Sequence, residues 1–70
     1  MFEYITRKGK KVTINPKMIT VILEPDSGDG CYIYTTDSPE PIIVTECYEE
    51  VNKAFQKYNY SYTQRIVLNL

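Results

Sequence analysis

The spacing of turn-forming residues constrains this chain more than any other feature. Gly9 in RKGK, Pro16 in INP, the run EPDSGDG at 24–30 and the run DSPEP at 37–41 interrupt the first part of the sequence. Each interruption has its own cause. Proline fixes φ and donates no backbone hydrogen bond, Asp and Ser bond their own backbone, and glycine accepts positive φ. The segments left between them are short and rich in β-branched and aromatic residues, as strands are. Phe2, Tyr4 and Thr6 alternate with Glu3, Ile5 and Arg7, and Val12 and Ile14 alternate with Thr13 and Asn15, which predicts a hairpin turning at Gly9. KMITVILE predicts a buried strand, CYIYTTD the next one, and PIIVT a short fifth one. Connections this brief join antiparallel neighbours.

After residue 45 the period changes. Cys47, Tyr48, Val51, Ala54, Phe55 and Tyr58 recur at helical spacing and predict an amphipathic helix over 46–58, with Thr45 as its N-cap. Beyond it Tyr58, Tyr60, Tyr62, Ile66, Leu68 and Leu70 share one parity, which predicts a C-terminal strand with one buried face. The expected fold class is α+β: a small antiparallel β-meander, one helix and a C-terminal strand.

Seventy residues make a single domain over 1–70. Chains of this size bury little surface and gain stability from disulfides, metals or self-association. Cys31 and Cys47 are the only cysteines, there is no histidine, and the start MFEYITRKGK has no apolar core of a signal peptide. These features predict reduced thiols, a cytoplasmic location, and neither a zinc site nor a cofactor. Self-association remains, and a C-terminal strand needs a partner edge. That edge is either the chain's own sheet or a second copy, and the second option gives a homodimer joined through Tyr60, Tyr62, Ile66 and Leu68. No apolar run approaches the ~20 residues of a membrane-spanning helix.

Enzymatic chemistry finds little support. Without histidine the Ser–His and Cys–His pairs of acyl transfer are missing. Gly9, Gly28 and Gly30 all fall in turns, and none opens a phosphate-binding helix. Cys47 stands near a helix start, where a thiolate is favoured. But Glu46, Glu49 and Glu50 oppose that charge, and Cys47 lies on the apolar face, so it reads as structural. The 26–30 loop lacks the repeated acids and distal glutamate of a calcium loop.

Seven tyrosines suit half-buried sheet faces. Tyr32 and Tyr34 share one face, and Tyr58, Tyr60 and Tyr62 another. A single-stranded nucleic-acid platform would use such rings, here Tyr32, Tyr34, Tyr60 and Tyr62, within a basic groove. The cations Arg7, Lys8, Lys10, Lys11 and Lys17 cluster elsewhere in the sequence, so direct nucleic-acid binding is the weaker expectation.

Charge is sorted along the chain. It carries eight basic and nine acidic residues, yet Glu24, Asp26, Asp29, Asp37, Glu40, Glu46, Glu49 and Glu50 fall within 24–50 with no Lys or Arg between residues 18 and 52. Each acid has a local reason, in a turn or in the first helical turns, where carboxylates favour the dipole. Those local reasons leave the missing cations unexplained, because ordinary surfaces mix both signs. These eight acids are therefore the candidate partner-binding residues. Their expected partner is a basic protein, of the kind that binds nucleic acid and that small phage inhibitors occupy.

ITRKGKKVTINPKMITVI, followed by IYTTD, IIV and EEV, resembles the FlbD-type family of small flagellar-operon proteins over residues 4–55. The matching residues are Ile14, Asn15, Pro16, Ile19, Ile22, Thr35, Thr36, Asp37, Val44, Glu49, Glu50 and Val51. The resemblance implies a structural or adaptor role and brings no catalytic residues with it. The loop EPDSGDG and the tail YNYSYTQRIVLNL extend beyond the shared pattern.

Overall fold

A computed structural model describes residues 1–68, with side chains through residue 59. The chain is α+β, with two antiparallel sheets and one helix. Strands β1 (Phe2–Ile5) and β2 (Lys11–Ile14) form a hairpin in which Phe2 stands opposite Ile14 and Tyr4 opposite Val12. Gly9 turns it at φ 84°. Asn15 and Pro16 then end β2, as their chemistry predicts. The Asn15 side chain accepts a hydrogen bond from the Lys17 amide at 3.0 Å and caps a single 3-10 turn, Pro16–Met18.

Strands β3 (Ile19–Leu23), β4 (Cys31–Thr35) and β5 (Ile42–Val44) form the second sheet in that order. The expected continuous meander is thus two sheets, joined at one point. Thr6 bridges Val44, the Arg7 amide donates to the Ile43 carbonyl at 2.9 Å, and the Thr45 amide donates to Ile5 at 2.8 Å. The end of β1 therefore pairs with β5.

Helix α1 (Tyr48–Leu68) packs on β3 and β4. It corrects two expectations. It starts two residues later than predicted, because Thr45 is taken by β1: its hydroxyl and its amide both donate to the Ile5 carbonyl. Cys47 becomes the N-cap, its carbonyl accepting the Val51 amide at 3.1 Å. The helix also runs through the segment expected to be the C-terminal strand. Val51, Phe55, Tyr58, Tyr62 and Ile66 fit helical spacing as well as any parity. No glycine or proline follows Pro41. Once a helix is nucleated, each further residue adds a hydrogen bond without a new nucleation cost, whereas a strand needs a partner edge. Tyr60, Tyr62, Ile66 and Leu68 accordingly belong to α1 by their backbone, and their side chains lie outside the described residues.

The core draws on five elements: Ile14 from β2, Ile19 from β3, Cys31 and Ile33 from β4, Val44 from β5 and Val51 from α1. Each fully buried aliphatic side chain stabilises the fold by about 1.5–3 kcal/mol. Tyr58 of the helix meets Phe2 of β1 edge-on at 6.3 Å and stacks with Phe55 at 6.4 Å, so α1 also ties the hairpin to the rest.

Strand β3 is not the buried strand that its composition predicts. A register irregularity between Ile19 and Val21 turns Ile19 and Ile22 inward and leaves Val21 and Leu23 about half exposed.

Candidate functional site

The position of the eight acids follows from the strand register. Cys31 stands opposite Val44. The turn entering β4 and the segment leaving β5 are therefore neighbours at one end of the sheet. The 24–30 turn is shaped locally by the Gly28 amide donating to the Pro25 carbonyl at 2.9 Å and by the Asp29 amide donating to the Ser27 hydroxyl at 3.3 Å. Gly28 and Gly30 both take positive φ. At Gly30 the backbone lies so close to the Val44 carbonyl that a Cβ could not fit without movement. This contact brings Asp29 beside Thr45 and the helix start.

Glu24, Asp26 and Asp29 thus share an end with Glu46 and with Glu49 and Glu50 of the first helical turn. All six are exposed. Glu46 also has a structural task, since its carboxylate accepts the Cys47 amide at 3.3 Å. Asp37 and Glu40 do not join this group. Their turn connects β4 to β5 at the opposite end, where the Thr35 hydroxyl donates to the Asp37 carboxylate at 2.6 Å. The Thr36 amide donates to the Met18 carbonyl at 2.8 Å there. The eight candidate acids therefore form one group of six and one of two.

The structure also supplies a cation that sequence order hides. Arg7 lines one groove with Leu23, Glu24, Asp26 and Tyr32, and a second with Asp29 and Thr45. It enters because β1 continues past its hairpin to pair with β5. Nothing local in TRKG signals that contact, which spans more than thirty positions of sequence.

Burial pushes the Cys31 thiol above its ordinary pKa. A backbone hydrogen bond from Leu23 opposes the shift and the neighbouring Cys47 adds to it. Burial likewise raises the Tyr4 phenol, with smaller contributions from Glu46 and Cys31. Cys31 and Cys47 are both free thiols. A buried, protonated thiol is a packing group rather than a nucleophile. Among the described residues, no group of three or more Cys, Asp and Glu side chains is placed to hold a metal ion. No described helix is long and apolar enough to cross a membrane.

Tyr32 and Tyr34 share the outer face of β4, as their alternation predicts, with Cys31, Ile33 and Thr35 turned inward. Tyr58 is not their counterpart on another strand face; it packs on Phe2 from the helix. The outer face of the second sheet carries Val21, Leu23, Tyr32, Tyr34 and Ile43, in cross-strand rows Leu23–Tyr32–Ile43 and Val21–Tyr34. Helix α1 covers the inner face and leaves this one open. Comparison with protein families, curated proteins and solved structures finds no match to the chain.

Proposed function

We propose that this protein is a non-enzymatic binding module whose acidic end engages a basic protein surface of the kind that otherwise holds nucleic acid. The observation that carries this reading is the Cys31–Val44 pairing, which sets the 24–30 turn beside the helix start. Six exposed carboxylates thereby share one end, with Arg7 as the cation lining grooves among them. Exposed carboxylates steer a cationic partner and set orientation, and their effect fades as salt shortens the screening length.

The test uses a purified lysine- and arginine-rich DNA-binding protein as probe, with binding measured by calorimetry at low and high salt and in competition with duplex DNA. Reversing Asp26, Asp29 and Glu46 to Lys abolishes the interaction. Reversing Asp37 and Glu40, at the other end, leaves most of it. Equal loss from both sets, or binding indifferent to salt, rejects the acidic-end reading.

The open face of Val21, Leu23 and Tyr34 favours a second reading, a structural or adaptor protein of the FlbD-like kind. Its contacts would be apolar and persist at high salt. The stacking of single-stranded nucleic acid on Tyr32 and Tyr34 is disfavoured, because Glu24 and Asp26 accompany Arg7 in the groove beside Tyr32.

A further inference from the structure

We propose that Cys31 and Cys47 join in an intramolecular disulfide when the chain is oxidised, a redox switch that fastens the start of α1 to the β4–β5 corner. This does not rest on the acidic-end reading. These are the only cysteines of the chain, and both are free thiols. The fold brings them to one corner. Cys31 opens β4, turned inward and opposite Val44. At the preceding Gly30, a Cβ would lie 3.9 Å from the Thr45 Cα, so the two backbones run together here. Cys47 follows shortly after Thr45 and caps α1. Its carbonyl accepts the Val51 amide at 3.1 Å, which sets the two residues a helical turn apart on one face. Val51 is fully buried in the core cluster that also holds Cys31. A charge on Cys47 adds to the rise of the Cys31 thiol, as expected of neighbours.

Burial divides the roles. Cys47 is half-buried and Cys31 inaccessible, so an external oxidant meets Cys47 first. With a low-molecular-weight disulfide as oxidant, the Cys47 thiolate attacks one of its sulfurs. That S–S bond breaks, a mixed disulfide forms on Cys47, and one small thiol leaves. Cys31 then gives its proton to solvent, and its sulfur attacks the Cys47 sulfur. The mixed disulfide breaks, the Cys31–Cys47 bond forms, and the second small thiol leaves. Both protein thiols are oxidised, and the small disulfide is reduced to its thiols. Burial makes Cys31 a poor nucleophile toward reagents in solvent, and its fixed place beside Cys47 offsets this within one molecule. The helix start is the element that adjusts, since the first amides of a helix lack intrahelical partners and its ends open at least cost. The bond constrains the unfolded chain between the cysteines and so favours the folded one. It also ties together two acid-bearing segments, because Asp29 precedes Gly30 and Cys31 while Glu46 and Glu49 flank Cys47.

Incubation of the reduced, folded full chain with glutathione disulfide tests the proposal. Intact-mass and peptide mass spectrometry follow the products, and far-UV circular dichroism confirms that each variant is folded. The native chain passes through glutathione on Cys47 and ends with a peptide linking Cys31 to Cys47. Cys31→Ala stops at the mixed disulfide, and Cys47→Ala takes up no glutathione. The linked chain has a higher urea midpoint than the reduced one, and its Val51 amide exchanges more slowly. Reduction with dithiothreitol reverses both changes. A native chain that takes up no glutathione, stops at the mixed disulfide, or joins to a second chain through Cys47 overturns the proposal. So does closure whose rate climbs with low concentrations of urea, because the thiols then meet only after unfolding. A linked chain with a lower urea midpoint than the reduced chain also overturns it, since the bond would then pull the helix start out of its native place.

Discussion

Cys31 stands opposite Val44 across the β4–β5 ladder, and this one pairing decides which charges of the molecule meet. A slip of one residue would turn every inward side chain of β4 outward. Cys31, Ile33 and Val44, all essentially inaccessible, hold the register. The acidic end is thus positioned by the apolar core, although none of its carboxylates is buried.

Gly30 locks that arrangement and should be the less replaceable of the two turn glycines. Gly28→Ala meets open space and costs only the left-handed backbone penalty of about 1–2 kcal/mol. Gly30→Ala meets the Val44 carbonyl as well, which adds about 1–3 kcal/mol of overpacking. Urea unfolding of the two variants should give a clearly lower midpoint for G30A. Equal midpoints would show that the β4–β5 corner yields without cost.

The two faces of the sheet should respond unequally to truncation. Ile33→Ala empties a fully buried site and loses about 2–5 kcal/mol. That is a large part of the roughly 3–10 kcal/mol expected for a chain of this size. Val21→Ala changes the stability of the monomer by no more than about 0.5 kcal/mol. Thermal melts at low protein concentration, where association does not contribute, separate the two.

Alkaline pH should weaken the fold through Cys31 and Tyr4. Below the ordinary thiol pKa both the folded and the unfolded chain hold the Cys31 proton, and its contribution to stability is fully present. Above it the unfolded chain releases the proton first, because burial raises the folded value. Stability then falls with rising pH until the folded pKa is passed. Tyr4 adds the same trend in the range of its raised phenol pKa. Urea midpoints from neutral pH to about pH 10 should decline, and Cys31→Ala should flatten the lower part of that decline. A thiol reagent such as a colored aryl disulfide should modify half-buried Cys47 first and reach Cys31 only on unfolding.

Local chemistry was legible in the sequence wherever it acts within a few residues. The turns at Gly9, Pro16, 24–30 and 37–41 stand where glycine, proline, Asp and Ser place them. The alternation in CYIYT puts Tyr32 and Tyr34 on one face, and the structure shows that Cys31, Ile33 and Thr35 are the buried side. The tail was misread for a physical reason. Tyr58, Tyr62 and Ile66 fit a strand parity and a helical stripe equally, and the choice belongs to a helix already nucleated at residue 48. ITVIL was misread because a register irregularity breaks its parity, and period alone does not reveal one.

Sequence by itself determined the α+β class, the places of the first five strands and the run of acids without cations, because propensity, turn chemistry and charge are properties of neighbouring residues. Only the tertiary structure decided that six of those acids share an end while Asp37 and Glu40 face the other way. It alone also set Arg7 beside Glu24 and Asp29, and left Val21 and Leu23 open to solvent. Those outcomes rest on pairings between distant residues, Thr6 with Val44 and Cys31 with Val44, whose register is chosen by the shared core.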